Sequence, residues 1–60
     1  MTSEKFVRGQ YKDALVIKSS TPYIYDCKES FMGKVIATGK NPSNAWTNAR
    51  KKVYKKLFEI

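Results

Sequence analysis

NPSNAWTNARKKVYKKLFEI, residues 41–60, is the stretch on which the fold turns. Asn41 stands where a capping side chain accepts a bond from an unpaired N–H of the first helical turn. Pro42 follows at the first helical position, where its missing N–H costs nothing and its fixed φ suits the helix. At about 100° per residue, Trp46, Ala49, Val53, Leu57 and Ile60 fall on one stripe. Asn44, Asn48, Lys51, Lys52 and Lys55 lie around the opposite face. The spacing predicts an amphipathic helix over 41–60 with a short apolar stripe and a basic back. Trp46 is expected to be the central core residue, with the small Ala45 and Ala49 letting the helix come close to a sheet.

The strands lie upstream. Residues 14–18 (ALVIK) are short, rich in β-branched side chains and bounded by polar residues. Residues 19–22 read as a turn that Pro22 closes. Residues 23–28 (YIYDCK) alternate, with Tyr23, Tyr25 and Cys27 on the more apolar side. A tight turn at Glu29–Ser30 leads to a third strand over 31–38, in which Gly33 marks a bulge or a close backbone approach. Short turns make neighbouring strands antiparallel. Residues 1–5 read as a flexible tail, and Phe6 and Val7 either start a strand over 6–11 or tuck under the sheet. The expected fold is α+β: one domain over residues 1–60, a small antiparallel three-stranded sheet packed against one C-terminal helix, in the order β-β-β-α.

Sixty residues build only one small core. The single cysteine, Cys27, rules out an internal disulfide and is expected as a small buried residue. The chain carries 12 basic and 5 acidic side chains, a net charge of +7. Five of those basic residues fall in the last twenty positions, against one acid. Such an excess attracts polyanions and acidic surfaces. No apolar run approaches a membrane span and no targeting segment is visible, so the expected location is cytoplasmic.

The groups that catalysis needs are missing. There is no histidine. Glu4, Asp13, Asp26, Glu29 and Glu59 form no spaced pair for acid–base work. Cys27 has no activating partner, the three glycines build no phosphate loop, and no ligand spacing suits a metal. The expectation is a non-enzyme without cofactors.

What remains is a basic surface. Arg50, Lys51, Lys52 and Lys55 are placed to contact phosphates, with Lys28 and Lys34 assisting from the sheet. Asn44 and Asn48, on the same face, can donate to phosphates or meet an adenine edge. Lysines are also good helix formers, and a solvated helix face carries the same pattern. Tyr11, Tyr23, Tyr25 and Phe31 are interleaved with basic residues, an arrangement that can stack single-stranded bases or simply fill a core. Tyr54 and Phe58 flank the helix stripe, and an off-stripe phenylalanine beside a small core points to a partner or a dimer interface. The expected function is non-catalytic binding of DNA or RNA through the helix face and sheet edge. The alternative is a small protein-binding module (inhibitor, adaptor or subunit) docking on an acidic partner protein.

Residues 33–57, GKVIATGKNPSNAWTNARKKVYKKL, resemble the last strand and helix of a double-stranded RNA-binding domain: a strand, a glycine-containing loop, then a helix with alanines in register. The resemblance implies Ala45, Ala49, Val53 and Leu57 as that helix's buried positions. The family grips phosphates with lysines at the start of this helix, where this chain has Asn41, Pro42, Ser43 and Asn44. The family's first helix is expected to be absent here. The same segment is similar to the strand–loop–helix of HicB-type antitoxins, through Ala45 and the Asn48–Ala49 step. It is also similar to the arm-binding domain of tyrosine integrases, a family whose three-stranded sheet enters the major groove.

Overall fold

The computed structural model describes residues 2–58. Its elements are α1 Ser3–Gln10, β1 Leu15–Lys18, β2 Tyr25–Lys28, β3 Val35–Gly39 and α2 Pro42–Phe58. The strands form one antiparallel sheet in the order β1-β2-β3, and α2 packs across all three of them. The sheet and its C-terminal helix are therefore as expected, but a helix precedes them.

That first helix is the main correction. Residues 3–5, expected in a tail, and 6–10, expected to start a strand or tuck under the sheet, form α1. Its local signals are a cap and a charge pair. Thr2 Oγ1 accepts from the Lys5 N–H at 3.2 Å, and Glu4 pairs with Arg8 at 2.8 Å across one turn. Neither would hold eight residues helical in water. The decisive contribution is tertiary: Val7 is completely buried in the core. Arg8 adds a second tie. Its Nε donates to Ala14 O at 3.1 Å, and its guanidinium sits 5.4 Å from the Trp46 ring centroid. Ser3 and Glu4 lie near Pro42–Thr47, Phe6 near Tyr54, and Tyr11 near Val53. α1 therefore packs against α2.

In the sheet, Val16 is the partner of Cys27, and Cys27 of Ala37. These three face the helices with Tyr25, as the period-two reading of residues 25–28 requires. Tyr23 is not in that strand. It stands in the β1–β2 turn with φ 64 and 85% of its surface exposed. Pro22–Tyr23 fits the two central positions of a type II turn, whose second residue needs positive φ. The third strand is also shorter than expected. Residues 29–34 are a turn, closed by Glu29 N–H to Lys34 O at 3.0 Å, and Gly33 lies inside it rather than in a strand. The register shift falls later: Cys27 opposes Ala37 while Lys28 opposes Val35, so Ile36 is the extra residue. Ile36 can then pack on the core beside Ala37.

The buried core is made of small side chains: Val7, Ala14, Cys27, Ala37, Ala45, Ala49 and Val53. Trp46, expected at its centre, lies half-buried at its edge. The physical reason is that α2 has two partners. The sheet takes the Ala45–Ala49–Val53 row, and the neighbouring row with Trp46 is left for α1. Leu57 is 47% exposed, and Ile60 lies outside the described residues.

Cys27 behaves as the buried small residue expected. Burial pushes its thiol up from 9.0 to about 11, with the Arg8 charge pulling weakly the other way. Below pH 9 the thiol is neutral whether the chain is folded or not. Above it the unfolded chain ionises first, so this contribution to stability is lost between pH 9 and about 11. A thiol reagent at neutral pH should leave the native chain unlabelled and label it fully in denaturant. The alkaline loss should be smaller in Cys27→Ala. Rapid labelling of the native chain, at the rate of a free thiol, would contradict the burial.

Candidate nucleic-acid interface

The junction of β3 and α2 positions the helix. Asn41 caps it as predicted: its Oδ1 accepts from Asn44 N–H at 2.8 Å. Asn44 Oδ1 in turn accepts from Lys40 N–H at 3.1 Å, and Asn48 Nδ2 donates to Thr38 O at 2.8 Å. Two asparagines read as nucleic-acid contacts thus also tether α2 to the end of β3. A side chain fixed in this way still has polar atoms to spare, since Asn44 Nδ2 and Asn48 Oδ1 take no part in these three bonds. A shallow cleft lined by Tyr23, Ile24, Lys40, Asn44 and Asn48 lies at this end.

The predicted cations separate into groups. Arg50 and Lys51 line a groove of about 440 Å³ between the two helices, with Phe6 and Tyr54. Lys52 is on another side of α2, where it shares a cleft with Lys56, Tyr11, Glu29 and Ile36. Lys55 is exposed one turn beyond Lys51. Lys28 ends β2, and Lys34 ends the turn that follows it. Lys28 Nζ donates to Phe31 O at 2.9 Å, which holds it against its own turn, and Lys34 is exposed. Arg50, Lys51, Lys52, Lys55 and Lys56 are all exposed, and Pro42–Phe58 contains no acid. Glu4–Arg8 is the one ion pair among the described residues, so none of the α2 cations is neutralised there.

Aromatic rings continue the groove. Phe6 and Tyr54 have centroids 6.3 Å apart, and Tyr54 and Phe58 4.5 Å, each pair tilted by 36°. Tyr54 is 55% exposed and Phe58 67%. Phe6 was not among the expected site residues, because it lies on α1, a helix that sequence reasoning did not place, and meets Tyr54 of α2 only in the folded chain. A second apolar prominence, Phe31 and Met32, stands at the tip of the β2–β3 turn.

Among the described residues no three His, Cys, Asp or Glu side chains gather where a metal ion could sit. No described helix is long and apolar enough to cross a membrane. Comparison with family models, curated proteins and solved structures finds no significant match.

Proposed function

We propose that the protein is a non-catalytic nucleic-acid-binding domain that uses the exposed basic surface of α2. The observation that carries this reading is the run of exposed cations from Arg50 to Lys56 in a helix whose described residues include no acid, with none of these cations in an ion pair among the described residues. Like charges held this close repel one another, and a polyanion relieves that repulsion while releasing counterions. Lys28 and Lys34 add charge at the sheet edge. In this reading the protein works in the cytoplasm with Cys27 reduced.

The α-β-β-β-α order supplies the first helix that the resemblance to a double-stranded RNA-binding domain lacked. The start of α2 still departs from that family. Asn41 and Asn44 are engaged in capping there, and the cations begin two turns later. The position of the charge therefore favours a different grip from the family's.

The test is a salt series with labelled duplex DNA, duplex RNA and single strands. Binding should fall log-linearly with salt. Changing Arg50, Lys51, Lys52 and Lys55 together to Gln should lower the slope by about 3 and abolish most of the affinity. No binding to any of these at about 50 mM salt, where the electrostatic contribution is large, would dismiss the proposal. The second reading, a module docking on an acidic protein, draws on the exposed Phe31 and Met32. One stoichiometric partner retained from a nuclease-treated lysate would favour it.

A further inference from the structure

We propose that the groove between α1 and α2 binds single-stranded nucleic acid, with an unstacked base against Tyr54 and Phe58 and the flanking phosphates held by Arg50 and Lys51. This deepens the nucleic-acid reading above and rests on it.

Four observations converge. The groove holds about 440 Å³, within the range of built ligand sites and ample for one base. Its walls combine two aromatic rings with two cations and no acid. That is the composition of single-strand sites, where rings stack bases and cations follow the backbone. The ladder extends past the groove through Phe58, so more than one ring is offered along the helix. More than half the surface of Tyr54 and Phe58 is open, on a helix face where a polar residue would serve solubility better.

A duplex would leave these rings unused. Its bases are already stacked and are reached from the grooves only at the cost of unstacking a step. Phosphate contact alone asks for cations and gives no reason for the aromatics. The sheet is a poorer platform than the alternation of residues 23–28 suggested. Tyr25 packs against the core, and Tyr23 stands apart on its turn.

Fluorescence anisotropy with labelled oligo-dT, oligo-U and a duplex of equal length tests the proposal. Single strands should bind more tightly than the duplex. Tyr54→Ala and Phe58→Ala should each weaken single-strand binding by about tenfold, with duplex affinity and the salt slope unchanged. Tyr54→Phe keeps the ring and should bind as the wild type does. Changing Arg50 and Lys51 to Gln should lower the single-strand salt slope by about 1.4. Circular dichroism checks that each variant is folded; Phe58, near the end of α2, is the substitution least able to disturb the core. Wild-type single-strand affinity in both alanine variants overturns the proposal, as does a preference for duplex. Loss of a nuclease-resistant protein partner in those variants, with oligonucleotide binding intact, also overturns it. Salt-dependent binding indifferent to the rings sinks this proposal alone, whereas a wild-type chain that binds no nucleic acid sinks the broader reading as well.

Discussion

Gly39→Val should leave most of the chain without its native packing at body temperature. Gly39 ends β3 opposite Tyr25, and only Lys40 and Asn41 separate it from the helix. A β-carbon placed there would lie 2.7 Å from Asn44 C and 2.8 Å from Ala45 Cα, and closer still to Ala45 N. All three are backbone atoms of the first turn of α2, so no rotamer change relieves the clash. The helix must move off the sheet, and with it go the Asn44–Lys40 and Asn48–Thr38 bonds and the Ala45 contact. Overpacking a flexible site costs about 1–3 kcal/mol; here the obstacle is rigid, and a cost at or above about 3 kcal/mol is expected. A domain of this size has only about 3–9 kcal/mol to lose, at 0.05–0.15 per residue. The contrast is Gly9→Ala, where the new methyl meets nothing within 4 Å. It should be neutral or stabilising by up to about 1 kcal/mol, since glycine is a poor helix former. Thermal melts followed by circular dichroism give both values. A Gly39→Val variant melting within a few degrees of wild type would show that α2 does not approach the strand as described.

Val7→Asp should unfold the domain just as thoroughly, and from the opposite end of the chain. Val7 is the sole fully buried residue of α1, and it is packed in one cluster with Ala14, Cys27, Ala37, Ala45 and Ala49. Among the described residues no polar side chain is buried in the core to receive a carboxylate. Burying that charge, or protonating it to avoid doing so, costs several kcal/mol. Val7→Ala removes only two methyl groups and should cost about 2 kcal/mol. Gly9→Asp places the same charge on the exposed side of the same helix and should change stability by well under 1 kcal/mol. Near wild-type denaturant midpoints for Val7→Asp would mean that α1 is dispensable, and the groove it forms with α2 would lose its structural basis.

How much of the candidate site was legible follows from where its residues come from. Arg50, Lys51, Lys52 and Lys55 are exposed as the helical wheel required, because charge on a long amphipathic helix has nowhere else to go. Tyr54 and Phe58 fall off the core stripe of the wheel, and both are exposed. Phe6 was missed because its role depends on Tyr54, forty-eight positions away. Asn44 and Asn48 looked like surface donors. Their bonds to Lys40 and Thr38 depend on how β3 meets the helix, which periodicity does not encode.

By itself the sequence determined α2 and the sheet. The Asn41–Pro42 start is a local chemical signal. A 17-residue helix repeats its pattern often enough to be read, and strands of four or five residues alternate around Val16, Cys27 and Ala37. Only the tertiary structure decided α1 and the centre of the core. An eight-residue helix with one buried side chain carries too few periods to announce itself, and its stability comes from what it packs against. Once α1 lies along α2, the larger helix has two faces to bury rather than one. The alanine row then goes to the sheet, Trp46 moves to the edge beneath Arg8, and the two helices leave an aromatic, basic groove between them.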